Sequence, residues 1–319
     1  MFEAKTYSQL TTILHDKKGI DIINNHTCEQ ILKSYGYFNL INNYKNEIYD
    51  TLKDDNLTIN DIVYLREIDN DIQSVIFKNL IKIETTLKSH LSYFLANNFG
   101  VKQIDYTNPK NFKTEISARD LFRNIDDKKH IDFTKDPANY YLGKYNDLPP
   151  WVYIKHIPFG DTINIYNELK KEHKVLIIDE WIHLDRFNDD EKCDFFAELL
   201  RFCKDFRDTI AHGGRLLNYE SEKTVRFIFT KKLLRPSTFN NQDFGIYKHK
   251  IFYLMICLII ILPNYRDRKK FVNEIKTIYA SYLNETENHF LDMFLSVSSL
   301  PQDFLSKLDT ATQWDIPTV

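Results

Sequence analysis

Arg207 and His212 stand five residues apart at the end of a well-patterned segment, and two glycines, Gly213 and Gly214, follow directly. The two residue types suit phosphodiester chemistry. A histidine titrates near neutral pH, so it can take or give a proton. An arginine stays charged and grips phosphate with a planar fork of donors. RNA supplies its own nucleophile, the 2′-hydroxyl, so a base, an acid and a fixed positive clamp suffice for cleavage. The same residues also fit a plain helix terminus. Arg and His complement the negative end of a helix, and glycine is the common residue just beyond it.

Five steps at about 100° each separate the two side chains by roughly 140° on an ideal helix. They do not meet as an i, i+4 pair would. Unless the helix distorts, one chain does not make a dyad of them; helix ends facing each other across a two-fold axis could bring them together, and a homodimer is expected. No His/Cys set has metal-ligand spacing and no carboxylate-rich cluster stands out. The expectation is therefore chemistry without a metal or any other cofactor.

Several elements must position these residues. Asn188 with Glu191 is a capping pattern. It opens a helix whose buried side is Phe195, Phe196, Leu199, Leu200, Cys203 and Phe206, and which runs into Arg207. Upstream, Thr27 with Gln30 marks a helix start near Cys28. Residues 57–100 keep apolar positions at helical steps with no Pro or Gly until Gly100, which implies one or two long helices. Glu84 lies close to the apolar face of that stretch and needs a partner, as a structural salt bridge or as a site residue, the bridge being the expectation. Residues 101–150, broken by Pro109, Pro137, Gly143, Pro149 and Pro150, read as an irregular excursion with a short helix near 117–125. Asp161, after the turn at Pro158 and Gly160, is placed to cap a helix. The alternation in Thr224–Thr230 suggests a short strand or hairpin, and helices resume over about 247–262, 267–283 and 287–296. The class is all-α, within a single domain over 1–319 that carries a C-terminal helical extension over 247–319.

The totals agree with that class. Only 8 Gly and 9 Pro occur in 319 residues, so tight turns are few and long helices are favoured. The four cysteines, Cys28, Cys193, Cys203 and Cys257, include no CxxC pair and fit a cytoplasmic chain with reduced thiols. Residues 251–262 are wholly apolar, but a helical span needs about 20 residues, so the stretch reads as a buried core helix and no membrane partner is expected. The net charge of −3 conceals an asymmetry: residues 201–235 hold nine Lys or Arg against four Asp or Glu. Such a segment is either a solvated face or a local anion site.

Three blocks resemble a known family. They are "YGYFNLINNY", "LREIDNDIQSVIFKNLIKIETTLKSHLSYFLANNFG", and "PWVYIKHIPFGDTINIYNEL" followed by "FCKDFRDTIAHGGRLLN". In this order and spacing, over about residues 35–218, they resemble the bacterial abortive-infection (Abi) family of the AbiD/AbiF kind, which belongs to the HEPN superfamily. The resemblance implies an all-helical HEPN-like bundle and a motif of Arg207, the polar Asp208 and His212. It further implies metal-independent endoribonuclease action at a dimeric composite site, leaving 2′,3′-cyclic phosphate and 5′-hydroxyl ends. Family members are growth-arresting toxins of phage defence and relatives of the type VI CRISPR effectors, and AbiF-like ones are restrained by a small structured RNA. The tyrosine that some HEPN toxins carry shortly after the histidine is replaced here by Gly213 and Gly214. On this reading Lys204 and Arg215 flank the motif as backbone contacts, with Arg201, Lys231 and Lys232 as further RNA contacts and no DNA partner. The competing reading is an inactive HEPN-like module that sequesters a small RNA or another partner through 201–235.

Overall fold

The computed structural model describes residues 3–44, 57–128, 132–285 and 288–315. A short helix α1 (Tyr7–Thr12) precedes α2 (Asn25–Tyr35). The side chain of Asn24 caps α2 by accepting the Thr27 amide, so the helix starts earlier than the Thr27–Gln30 pattern implied. Helix α3 (Ile59–Asn98) is one unbroken element of 40 residues, about 60 Å long. Thr58 and Asp61 form its capping box, and Gly100, at φ 117°, ends it. Its buried side runs from Ile62 through Leu65, Ile68, Ile72 and Ile76 to Leu91, and gives the other helices a common spine.

The excursion after α3 is more ordered than its prolines implied. It contains α4 (Gln103–Tyr106), α5 (Glu115–Asp126) and α6 (Ala138–Tyr145). Then α7 (Pro150–His156) packs on α3, and α8 (Phe159–Glu168) and α9 (Lys171–Trp181) follow. Helix α10 (Asp189–Ala211) lies against α3, α8 and α9 and carries the Arg207 motif at its C-terminal end.

Where a strand or hairpin was expected after the motif, the chain forms α11 (Phe227–Leu233). Phe229, Thr230 and Leu233 are its buried residues, a helical spacing that overrides the short alternation. Arg226, just before it, donates to Asp194 and Glu198 of α10 at 2.8 and 2.5 Å and fixes the start of α11 on that helix. Among the described residues there is no strand that could have paired with it.

The remaining helices are α12 (Asn241–Tyr247), α13 (Ile251–Ile261), α14 (Tyr265–Glu285), α15 (Asn288–Ser298) and α16 (Phe304–Ala311). Every residue of α13 is buried, as expected of a core helix, and α14 packs back on α3. No single helix among the described residues is long and apolar enough to cross a membrane. All four cysteines are free and buried, and burial pushes the Cys203 thiol up to about 12.

Candidate active site

Helix α10 is built to deliver its C-terminal end to one place. The capping box of Asn188 and Glu191 fixes its start, and Phe195, Phe196, Leu199, Leu200, Phe202, Cys203 and Phe206 sink into the core. That burial sets the rotation of the helix. Lys204, Asp208 and His212 share one stripe at i, i+4 steps, and Arg207 lies on the next.

The end of α10 is a Schellman turn. The Gly213 amide donates to the Ile210 carbonyl and the Gly214 amide to the Thr209 carbonyl, both at 2.9 Å. Gly213 sits at φ 75°, where glycine is unstrained. A Cβ on Gly214 would lie 2.8 Å from the Thr209 carbonyl oxygen. Both glycines are therefore accounted for by the turn that turns His212 outward. Gly213→Ala is expected to cost about 1 kcal/mol. Gly214→Ala should cost more, because backbone must shift; thermal unfolding of the two variants checks the order.

Arg207 is partly buried, its side chain 28% exposed, beside a cleft of about 340 Å³. Lys128, Gly160, Asp161, Lys204 and Asp208 also line that cleft. The guanidinium lies 3.2 Å from Glu84 of α3 and donates to Asp208 at 3.1 Å. The Glu84 contact is an ion pair rather than an aligned hydrogen bond. Arg207 Nε and Glu84 Oε2 are both buried without a hydrogen-bond partner among the described residues. The other Glu84 oxygen pairs with Lys88 at 2.9 Å. Thus the carboxylate flagged in the sequence is bridged as expected, and it also bears on the motif arginine. Lys204 donates to the second oxygen of Asp208, so Asp208 joins the two cations. His212 is exposed, and its imidazole makes no hydrogen bond or ion pair among the described residues.

Opposite Arg207, the first turn of α8 forms the cleft wall. Asp161 is only 5% exposed and takes Lys128 through both oxygens, at 2.5 and 2.6 Å. It is not the cap of α8, which begins after Pro158; its burial demands a cation, and Lys128 supplies one. Gly160 admits Lys204: a Cβ there would lie 2.7 Å from Lys204 Cε. Lys128 escaped the sequence reading because nothing in 101–150 indicated where that segment folds back. A carboxylate inside the apolar run of Phe159, Ile163, Ile165 and Tyr166 was the available signal.

The structure does not gather all the candidate cations. Arg201 is exposed on α10, nearly two turns before Arg207. Arg215 turns away from the cleft and sits over the Tyr44 ring, 5.7 Å from its centroid. Lys231 and Lys232 lie near the opposite end of α10, where Lys232 pairs with Glu191 at 2.5 Å. Glu191 and Arg207 are about 24 Å apart along the helix axis. Among the described residues, no three His, Cys, Asp or Glu side chains group as a metal site would need.

Behind the motif, Asp69 of α3 is fully buried and accepts from Tyr44 Oη at 2.8 Å and from the Leu216 and Leu217 amides, each at 3.2 Å. Burial raises its pKa despite these donors. Asp205 of α10 likewise accepts from Tyr219 and Ser221 at 2.9 and 2.7 Å. The segment after His212 is thus tied to both helices.

The family model described as Abi-like protein matches residues 30–218, more than half of the chain, and the chain belongs to that family. The match closes at Asn218, just beyond the amides that Asp69 holds. No curated protein and no solved structure matches the chain.

Proposed function

We propose that this Abi-like chain is an abortive-infection protein of the AbiD/AbiF kind and the HEPN superfamily that cleaves RNA in the cytoplasm without a metal ion. The observation that carries the reading is the end of α10: a partly exposed arginine held in a cleft and an exposed histidine one turn further on. His212 takes the 2′-hydroxyl proton as that oxygen attacks phosphorus. The P–O5′ bond breaks, the 5′-oxygen is protonated, and a 2′,3′-cyclic phosphate remains. A homodimer would contribute two histidines, one as base and one as acid. Arg207 clamps the phosphate oxygens with the donors of its fork that Asp208 and Glu84 leave open. Asp208 orients Arg207, and Lys204 stands ready for a neighbouring phosphate. A small structured RNA covering this end of α10 would keep the toxin silent.

One observation favours binding without cleavage: within one copy Arg207 and His212 sit on separate stripes of α10, and no hydrogen bond among the described residues sets His212 as base or acid. The test is incubation of the purified protein with labelled RNA in EDTA. Cyclic-phosphate ends support the nuclease. A salt-sensitive mobility shift without cleavage supports the binding module.

A further inference from the structure

Lys231 and Lys232 line a cavity of their own. It measures about 190 Å³ and is walled by Arg186, Lys231, Lys232, Arg235, Thr238 and Trp314, among others, with no carboxylate in its lining. Four of these residues are cationic, and the wall as a whole comes from three parts of the chain: the segment before α10 (Arg186), the end of α11 and the residues after it (Lys231, Lys232 and Arg235), and the end of α16 with the residues after it (Thr310 and Trp314). Arg186 donates to the Lys232 carbonyl at 2.7 Å, and Lys232 stands over the Phe187 ring at 5.2 Å. Among the described residues only Lys232 of the four has a carboxylate partner, Glu191. Lys231 and Arg235 are exposed, without an ion pair among the described residues.

The remaining wall is a built one. Arg268, 3% exposed, lies 5.5 Å from the Trp314 ring centroid and is gripped by both oxygens of Asp315 at 2.7 and 2.5 Å. That pair holds the indole in place. Trp314 Nε1 is buried and has no acceptor among the described residues. A buried N–H without an acceptor is costly unless a ligand completes it. An adjoining hollow of about 210 Å³ contains Asp185 and Asp315, and Arg268 already neutralises the latter.

We propose that this cavity binds a phosphate group. Two guanidinium forks, two ammonium groups and a hydroxyl offer donors on several sides, and a small tilt of the indole brings its enclosed N–H to a bound oxygen. A phosphomonoester presents three acceptor oxygens and close to two negative charges. The volume exceeds that of one ion and leaves room for part of an attached sugar, since a water takes about 30 Å³. The carrier is a free nucleotide or the phosphorylated end of an RNA. The site lies at the end of α10 remote from Arg207, so it stands whether or not the motif cleaves RNA.

The experiment titrates the full chain by calorimetry with inorganic phosphate, AMP, and a short RNA bearing either a 5′-phosphate or a 5′-hydroxyl. The comparison variants are Lys231→Ala/Arg235→Ala, which breaks no ion pair among the described residues, and Trp314→Phe, which keeps a ring and removes the N–H. Saturable AMP binding weakened at least about tenfold in the double variant, and weakened in Trp314→Phe, supports a nucleotide site. Preference for the 5′-phosphorylated RNA, lost in the same variants, supports an RNA end. Binding of no phosphate-bearing probe at millimolar concentration overturns the proposal, as does binding that the double variant leaves unchanged.

Discussion

On the proposed nuclease reading, Arg207→Ala and His212→Ala should each lower RNA cleavage by about 10²- to 10⁴-fold, the span that removal of a positioned proton-transfer group or charge clamp produces. The rate of cyclic-phosphate formation measures it. His212→Ala is the cleaner variant. The imidazole is exposed and makes no hydrogen bond or ion pair among the described residues. Its loss removes at most a favourable dipole contact of about 1 kcal/mol. Arg207→Ala also strips Glu84 of one of its two cations, so Arg207→Lys is the control. Lysine keeps the charge but not the fork, and a phosphate clamp should suffer from it where a mere counter-ion for Glu84 would not. Mixing the two alanine variants adds a readout that a structural role does not move. A mixed pair keeps one Arg207 and one His212: if a half-site needs only one of each, drawn from different copies, part of the activity returns, whereas chemistry that uses both histidines stays silent. Full cleavage by folded His212→Ala would sink the nuclease reading.

The parts of this site that follow local rules were legible in the sequence. The Asn188–Glu191 box, the buried face through Phe206 and the glycine turn depend on residues within a few positions of one another. They fix α10 and its end. What was not legible depends on folding at long range. Lys128 reaches Asp161 from a segment that proline and charge patterns could only describe as irregular. Membership of the 201–235 basic segment grouped Lys231 and Lys232 with Arg207, yet the chain doubles back after His212 and returns along α10 to its other end. Arg226 illustrates why: its ion pairs with Asp194 and Glu198 lay α11 on the first half of α10. From Phe227 onward the buried spacing of Phe229, Thr230 and Leu233 then makes the second half of the alternating heptapeptide helical. Linear charge clustering was therefore a poor guide to a common surface, whereas helical phase was a good one.

Asp69→Ala lowers the unfolding free energy by about 3–5 kcal/mol, the cost of leaving several buried donors without an acceptor. The Leu216 and Leu217 amides and the Tyr44 hydroxyl lose their common partner at once. Asp69→Asn keeps one carbonyl oxygen for the two amides and should cost about 1–2 kcal/mol; urea unfolding separates the two variants. The pH dependence carries its own sign. Burial, the largest influence on Asp69, raises its pKa, and its hydrogen bonds only partly oppose this. The native chain then binds the proton more readily than the unfolded chain, whose aspartates titrate near about 3.9. Stability contributed by this group is greatest below that value and is lost as pH rises through the raised native pKa. The stability of the wild type relative to Asp69→Asn should therefore fall as pH rises through that window; a difference that grows instead would contradict the assignment. Asp69 touches neither Arg207 nor His212 in the structure. It pins residues 216–217 to α3 and so fixes where the chain leaves the glycine turn. Asp69→Asn at neutral pH should accordingly loosen that exit while helicity persists, and cleavage should drop by less than in His212→Ala.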